Sequence, residues 1–221
     1  MSAEKPRERP ILFNDQMVRA ILEGRKTVTR RIAKPVKHPD LGNIYAPGAL
    51  VLEHEPQHVV DRACPYGQPG DRLWVREAWQ GPLISDEEQA ANQSWWKDVT
   101  KFQDQAHCSY RASGDNNEYV DPDGYFHCKW KPSIHMPRWA SRILLEITSV
   151  RVERLQDISE KQALAEGVEL EGEGVCFAGA PGTASDTPEE SFKLLWELIN
   201  GAGSWKANPW VWVVEFKRVT P

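Results

Sequence analysis

The sequence has no apolar run long enough to cross a bilayer, and its first ten residues, MSAEKPRERP, contain no signal-peptide core. We therefore expect a cytoplasmic chain that does not enter a membrane. The 221 residues also lack a surplus of basic side chains, because the formal net charge is −5. Binding of duplex nucleic acid through overall charge is therefore not expected, although a local basic groove is compatible with this composition.

Closely spaced cysteines are missing as well. The four cysteines are widely scattered: Cys64, Cys108, Cys128 and Cys176. We expect free thiols in a reducing compartment. The pairs His107-Cys108 and His127-Cys128 suggest zinc, but adjacent strand residues point to opposite faces, so each pair offers one ligand to a given metal. We predict neither a metal site nor any other cofactor.

The apolar pattern predicts many short strands and few helices. Strands are predicted at 11–13, 28–32, 71–79, 143–155 (one long strand or two) and 210–219. Helices are predicted from about 15 to 22, from 159 to 166 and from 189 to 199, the last with Phe192, Leu195, Trp196 and Ile199 as its apolar stripe. This order favours an α+β protein, mainly β, built as a small, partly closed β-barrel with flanking helices.

Long polar segments interrupt this pattern. Residues 1–10 are predicted to be a flexible tail, and 11–221 a single domain with insertions at about 33–68 and 80–134. The first insertion is expected to hold a small hairpin near 50–52, and the second a helix followed by a hairpin. The Gly-, Ala- and Thr-rich residues 171–188 are expected to be flexible.

The most informative segment is GRKTVTRR, from Gly24 to Arg31, which places four cations in eight residues of an acidic chain. It lies between a predicted helix and a predicted strand. Lysine and threonine at such a junction can converge on a small ligand. The alternative is a set of solvated surface cations, which is the commoner situation for a charge cluster.

Lys26, Thr29 and Glu166 are the side chains with the clearest chemical potential. Lys26 and Thr29 differ in strand parity, so they converge only if Lys26 lies in the loop after Gly24. Burial and neighbouring positive charge would lower the pKa of this lysine and make it a general base. Glu166 is predicted in the last helical turn, the unfavourable end of the helix dipole for an anion, and Lys26 would compensate its charge.

The order of these motifs resembles the ASCH (activating signal cointegrator homology) domain family. The pieces that carry the resemblance span most of the chain: Phe13, Gly24 to Arg31, Pro69 to Val75 (PGDRLWV), Ile147 to Leu155, Ser159 to Glu166 and Val213 to Phe216. The resemblance implies a PUA-like β-barrel, with 33–68 and 80–134 outside the minimal domain. The chain also looks like the longer ASCH-type proteins that phages and prophages encode.

Small bacterial ASCH proteins include amidohydrolases that remove the acetyl group of N4-acetylcytidine. By motif position, their catalytic lysine, threonine and glutamate fall on Lys26, Thr29 and Glu166. The resemblance thus implies that Lys26 activates the attacking group, that Thr29 or a water attacks the amide carbonyl, and that Glu166 gives a proton to the leaving amine. Arg30 or Arg31 would stabilise the oxyanion.

Other side chains are candidates for substrate contacts. Arg25 joins Arg30 and Arg31 in setting a positive field. Arg76 and Glu77, beside the PGDRLWV strand, would line the same pocket, the alternative being a solvated strand face. Trp139 is the candidate for stacking on a base, the alternative being core packing.

We therefore predict a protein that recognises a modified nucleoside or a base of single-stranded RNA. Hydrolysis of the N4-acetyl amide of acetylcytidine is the sharper hypothesis. Two alternatives stay open: a non-catalytic RNA- or nucleic-acid-binding module, and a phage accessory protein that binds a host protein through residues 80–134. The sequence leaves the oligomeric state open.

Overall fold

A computed structural model of the chain describes residues 6–92, 94–115, 118–120, 126–171 and 174–220. The α-helices in these ranges are α1 Asp15–Leu22, α2 Ala49–Leu52, α3 Gln57–Ala63, α4 Asp86–Ala91, α5 Glu160–Ala165 and α6 Pro188–Asn200. The strands are β1 Glu8–Leu12, β2 Val28–Ile32, β3 Val36–Lys37, β4 Ile44–Tyr45, β5 Arg72–Arg76, β6 Trp79–Gln80, β7 Ser109–Tyr110, β8 Glu118–Val120, β9 Phe126–Cys128, β10 Leu144–Arg154, β11 Glu169–Glu171, β12 Gly174–Cys176 and β13 Trp210–Val219. Short 3-10 turns connect several of them.

The main sheet has five strands in the order β1-β5-β10-β13-β2. Among the described residues, four two-stranded sheets accompany it: β3 with β4, β6 with β7, β8 with β9, and β11 with β12. The predicted α+β class, mainly sheet, is therefore confirmed. In the described part of the chain the five-stranded order has two separate ends, β1 and β2, so closure into a barrel is not observed.

The contacts divide the chain into two compact units. The first contains the segment up to Arg9, Ala20–Leu73 and Leu145–Val219. The second contains Pro10–Arg19, Trp74–Leu144 and the last two residues. The GRKTVTRR segment and Glu166 therefore belong to the first unit, whereas the segment expected as the second insertion belongs to the other.

The junction between α1 and β2 forms as the sequence predicts. Asn14 caps α1, because its side-chain oxygen accepts a hydrogen bond from the Met17 N–H at 2.9 Å. Gly24 ends the helix with a φ of +78°, in the left-handed region that favours glycine. Residues 25–27 then form a loop, and β2 follows over the predicted residues. Lys26 thus lies in the loop, as its convergence with a strand residue requires.

Strand β13 sets the orientation of every side chain on β2. The two strands are antiparallel, with Thr29 opposite Val214, Arg30 opposite Val213, and Arg31 opposite Trp212. Residues directly opposite share a face, and neighbours along a strand alternate between faces. Thr29 and Arg31 therefore lie on one face of β2, and Arg30 lies on the other.

Helix α5 begins with the predicted capping box and ends beside Glu166. The Ser159 N–H donates to Gln162 Oε1 at 3.0 Å, and Ser159 and Gln162 together close the box. Glu166 is the residue that caps the other end, and Gly167 follows with a φ of +108°. Residues 144–154 form one long strand, β10, which settles the choice between one strand and two.

Two segments in the first half of the chain differ from the prediction. The hairpin expected near 50–52 is the helix α2, because Gly48 turns the chain at φ +84° and Leu50 is buried; the hairpin in this region is β3 with β4. The tail expected over 1–10 is ordered from the start of β1 at Glu8, because the Arg7 N–H donates to Asp71 at 3.0 Å. Residues 1–5 lie outside the described chain.

Two further expectations are corrected towards the C-terminus. Residues 171–188 contain strand β12 and a buried turn, in which the Thr183 hydroxyl donates to the Ala180 carbonyl at 2.8 Å. The apolar stripe of α6 is narrower than predicted, because Ile199 is 48% exposed while Phe192, Leu195 and Trp196 are buried. Between 80 and 134 the expected helix and hairpin are confirmed as α4 and the β8–β9 pair.

Within the ranges described above, no helix has the length and apolar character that crossing a membrane requires.

Candidate functional site

The Lys26 ammonium and the Glu166 carboxylate form a buried ion pair. Lys26 Nζ lies 2.5 Å from Glu166 Oε2 and donates a second hydrogen bond to the Glu166 backbone carbonyl at 2.9 Å. Each residue is only 2% exposed. The Thr27 N–H donates to the Ala165 carbonyl at 2.8 Å, which joins the loop to the end of α5. The backbone thus holds the two side chains together across 140 residues of sequence.

Arg30 holds the other oxygen of the same carboxylate. Its Nη1 lies 3.2 Å from Glu166 Oε1, and its Nη2 donates to Glu153 at 2.7 Å and to Gln162 at 2.9 Å. The Arg30 side chain is fully buried. Both oxygens of Glu166 therefore have a cationic partner, so the orientation of the carboxylate is fixed on two sides.

Burial is the largest influence on the charge of Lys26. It lowers the pKa of the ammonium, and the nearby Arg31 and Arg30 lower it further, while Glu166 acts in the opposite direction. Burial also lowers the pKa of the Arg31 guanidinium, although Tyr66 and Glu166 oppose that effect. The sequence predicts a lowered pKa for Lys26, and the structure agrees. The main cause is desolvation by burial and not the arginine cluster.

Thr29 is buried close to the pair without joining it. The residue is 1% exposed and lies opposite Val214 on β13. Within the part of the chain that the structure describes, Thr29 makes no hydrogen bond to Lys26 or to Glu166. It shares a face of β2 with Arg31, while Arg30 approaches Glu166 from the opposite face. The structure therefore brings Lys26, Arg30 and Glu166 into direct contact, and leaves Thr29 beside them.

Arg25 secures the end of α5 from the outside. Its Nη1 donates to the Gly167 carbonyl at 3.0 Å, and its Nε lies 3.3 Å from Glu169. It also pairs with Glu23. A cation beside the last carbonyls of a helix is favourable, so Arg25 stabilises the segment that carries Glu166.

The other three predicted site residues lie in the second unit, each with its own partners. Arg76 donates to the Met136 carbonyl at 3.0 Å, and Trp139 packs edge-on against Trp79 with ring centroids 5.5 Å apart. Glu77 is buried and receives two hydrogen bonds from Arg142, both at 2.9 Å. Burial raises the pKa of the Glu77 carboxyl, and Arg142 opposes that shift. The partners described for Arg76, Glu77 and Trp139 all belong to the second unit.

The histidine and cysteine pairs do not assemble into a ligand set in the described chain. His107 bonds to Asp104 at 2.7 Å and to Glu88 at 2.8 Å, and the Cys108 thiol donates to the Asp104 carbonyl at 3.3 Å. The side chains of His127 and Cys128 lie outside the described residues. No group of three or more potential ligands capable of holding a metal ion occurs among the side chains that the structure describes.

Three residues around the pair were not predicted as part of the site. The sequence indicates Gln162 only as a helix cap, although its Oε1 also accepts a hydrogen bond from Arg30. Glu153 alternates with buried Val152 on β10, a pattern that indicates a strand but not which charged residue meets a buried arginine. Tyr66 is near enough to Arg31 to influence its pKa, and nothing in the sequence indicates this proximity.

A buried ammonium and a buried carboxylate at this distance can exchange a proton, and the surrounding arginines can hold negative charge that develops on a substrate. These are the elements of acid–base chemistry on a polar bond. No protein-family model, no curated protein and no solved structure matches the chain.

Proposed function

We propose that the chain hydrolyses an acyl amide on a modified nucleoside or RNA base, and that the N4-acetyl group of acetylcytidine is its substrate. The observation that carries this proposal is the buried contact between Lys26 Nζ and Glu166 Oε2 at 2.5 Å. A surface ion pair would leave both groups hydrated and permanently charged. Here burial lowers the pKa of Lys26, so its neutral amine becomes accessible. We propose that the proton it loses passes to Glu166 Oε2, the atom that Nζ contacts.

The neutral form of the pair supplies both proton transfers that amide hydrolysis requires. The Lys26 amine takes a proton from the attacking water as its oxygen bonds to the acetyl carbon. The Glu166 carboxyl gives its proton to the leaving nitrogen as the C–N bond breaks. The products are acetic acid and the free exocyclic amine, and the pair is left as ammonium and carboxylate. One internal proton transfer restores its starting form.

The arginines take separate roles in this scheme. Arg30 already donates to Glu166, Glu153 and Gln162, so we assign it to positioning the carboxylate. Arg31 shares the Thr29 face of β2 and is our candidate for stabilising the oxyanion. Thr29 would orient the water or the carbonyl from that same face. We favour this orienting role over a nucleophilic role for Thr29, because no base contacts its hydroxyl in the described structure.

The family assignment belongs to the same proposal. We infer an ASCH domain with a PUA-like barrel, because the motif order agrees with the positions that the chemistry needs. The lysine stands in the loop before β2, and the glutamate ends α5. Strands β10 and β13 account for two more motif pieces. The phage-type character and the closed barrel stay predictions within this proposal.

The direct test is incubation of the purified protein with N4-acetylcytidine, following release of cytidine and acetate by liquid chromatography. We expect turnover by the wild type and a loss of at least about 100-fold in kcat/KM for Lys26→Met and for Glu166→Gln. Lys37→Met is the matched control, because Lys37 is an exposed lysine on β3, outside the GRKTVTRR segment. Full activity in both site variants would show that the assigned residues are wrong.

Folding has to be measured alongside activity. Removing one partner of a buried ion pair typically costs about 3–5 kcal/mol, since the other charge is left unpaired. The double variant Lys26→Met/Glu166→Gln removes both charges, and we expect it to be folded but inactive. Tight binding of N4-acetylcytidine or single-stranded RNA without any release of acetate would instead support the non-catalytic binding module.

A further inference from the structure

A second feature of the first unit is a polar groove of about 410 Å³. This volume is within the range of small-molecule sites and many times larger than a water molecule needs. Three arginines line it, Arg7, Arg9 and Arg62, together with two aspartates, Asp61 and Asp71. The groove is distinct from the Lys26–Glu166 pair, none of whose members lines it.

The aspartates of the groove are engaged with the protein itself. Asp71 accepts hydrogen bonds from the backbone N–H groups of Arg7 and Gln68, at 3.0 and 3.2 Å. Asp61 accepts from Gln57 Nε2 at 2.7 Å. Local donors thereby hold both carboxylates in place, and the lining carries three arginines against two aspartates, a formal surplus of one positive charge.

Two of the groove arginines, Arg9 and Arg62, keep donors for a ligand. A guanidinium has five N–H donors. Arg9 uses one in a described bond, to the Pro65 carbonyl at 3.4 Å. Arg62 pairs with Asp40 at 2.7 Å, but both side chains are more than two-fifths exposed, and exposed pairs of this kind exchange partners readily. An incoming dianion would compete well for both side chains, because Arg matches phosphate geometry.

The buried thiol in the groove carries no negative charge that would repel an anion. Cys64 lines the groove, and burial raises the pKa of its thiol to about 11. The group is therefore protonated, and uncharged, at neutral pH.

One short loop connects the groove to the proposed active site. Cys64, Gly67 and Gln68 line the groove, and Tyr66 of the same loop interacts electrostatically with Arg31. Gly67 fixes the loop at φ +124°, where a Cβ would lie 3.0 Å from Asp71 and 3.1 Å from Ile147. The loop therefore packs closely against Asp71 and Ile147 at this turn.

We propose that this groove binds a phosphate group of the substrate, so that the protein acts on a phosphorylated nucleoside and not on the free nucleoside. The inference rests on the proposed function for the identity of the base, and on the groove alone for the phosphate. The phosphate belongs either to a mononucleotide, whose terminal group is mostly dianionic at neutral pH, or to an RNA strand, whose diester is monoanionic. Both present phosphate oxygens to Arg9 and Arg62.

The kinetic test compares N4-acetylcytidine with its 5′-monophosphate. We expect a kcat/KM at least about tenfold higher for the nucleotide, which corresponds to one good charge-assisted hydrogen bond. Arg9→Ala/Arg62→Ala is expected to abolish that preference and to leave kcat/KM for the nucleoside unchanged. Lys206→Ala/Arg218→Ala removes two exposed cations outside the groove and is the matched control. Equal values for the two substrates, or a preference that survives in the groove variant, would overturn the proposal.

Binding of inorganic phosphate separates this proposal from the proposed function. We expect phosphate to shift the side-chain Nε–H resonances of Arg9 and Arg62 in nuclear magnetic resonance spectra, with no shift of the Arg218 Nε–H resonance. If phosphate causes this shift but the protein releases no acetate, the phosphate site is supported and the proposed hydrolase activity is refuted. Absence of the shift would refute the groove, whatever the activity.

Chain length then distinguishes the two sources of phosphate. A pentanucleotide with a central acetylcytidine should exceed the mononucleotide in kcat/KM by about tenfold if the groove receives an RNA strand. Equal values would indicate a mononucleotide. Either result is compatible with a phosphate site.

Discussion

At the scale of single residues, the candidate site is the buried Lys26–Glu166 pair, with Arg30 and Arg31 on opposite faces of β2. Lys26 lies in the loop and meets Glu166, as its position after Gly24 and the unfavourable end of the helix dipole suggested. Arg30 and Arg31 were not distinguishable in sequence, because their roles depend on which face of β2 each occupies. That depends on register with β13, which is decided by the packing of the whole sheet.

The burial of Lys26 predicts an unusual dependence of stability on pH. The pKa of Lys26 in the folded protein is below its ordinary value of 10.5. Between the two values the unfolded chain binds more protons than the folded one, so the free energy of unfolding rises with pH across that window. Urea unfolding at a series of alkaline pH values should show this rise in the wild type and a smaller one in Lys26→Met/Glu166→Gln. Lys37→Met should keep the wild-type slope, and identical slopes in all three proteins would contradict the assignment.

At the scale of secondary-structure elements, both ends of α5 contribute a side chain to the site. At the first turn, Gln162 closes the capping box and accepts a hydrogen bond from Arg30. The same arginine contacts the carboxylate of Glu166, just after the last turn. The capping box was readable from the sequence, because its spacing follows from the geometry of one helical turn. The contact with Arg30 was not, because it joins residues 132 positions apart.

Gln162 is therefore expected to act as a positioning residue. Gln162→Ala should lower kcat by about tenfold with little change in KM, because Arg30 loses a partner and holds Glu166 less firmly. Ser159→Ala is the control, since it removes the hydroxyl of the cap and keeps the Arg30–Gln162 bond. Steady-state kinetics with matched thermal unfolding checks the prediction. Equal losses of activity in the two variants would indicate that only helix stability matters.

Gly167 makes the turn after α5 possible, and its replacement should be costly. At φ +108°, a Cβ would lie 3.0 Å from Phe177, 3.1 Å from Ala20 and 3.4 Å from Lys26. We expect Gly167→Ala to lower the free energy of unfolding by about 2–4 kcal/mol through backbone strain and overpacking.

Gly182→Ala is the matched control for that substitution. Gly182 also has a positive φ, of +80°, but nothing lies within 4 Å of its added Cβ. Its loss should be about 1 kcal/mol, from backbone strain alone. Urea denaturation at neutral pH measures both variants, and equal losses would show that the contacts around Gly167 do not restrict the turn.

At the scale of the whole molecule, the overall class was predictable and the grouping of distant segments was not. The alternation of β13 and the periodicity of α6 are local signals, and both elements form close to where they were expected. The groove needs residues 7–9 beside residues 61–71, and no local pattern in either segment predicts that the two segments meet. The order of the sheet likewise depends on long-range pairing, which periodicity does not encode.

The charge of the whole chain limits how nucleic acid can bind. With a formal net charge of −5, attraction must come from a local site that contacts few phosphates. For one or two phosphates on a single strand, the slope of log K against log salt concentration should be between about −0.7 and −1.4. Fluorescence anisotropy of a labelled RNA pentamer at several salt concentrations measures it. A slope steeper than about −3 would require an extended basic surface, which this account does not contain.

The central claim is that the buried Lys26–Glu166 pair hydrolyses an acyl amide on a nucleoside, and one comparison tests it most directly. The wild type and folded Lys26→Met/Glu166→Gln are incubated with N4-acetylcytidine and with its 5′-monophosphate, and acetate release is measured. The account predicts turnover of at least one substrate by the wild type, and none by the double variant. Release of acetate at equal rates by both proteins, or no release from either substrate by the wild type, would contradict it.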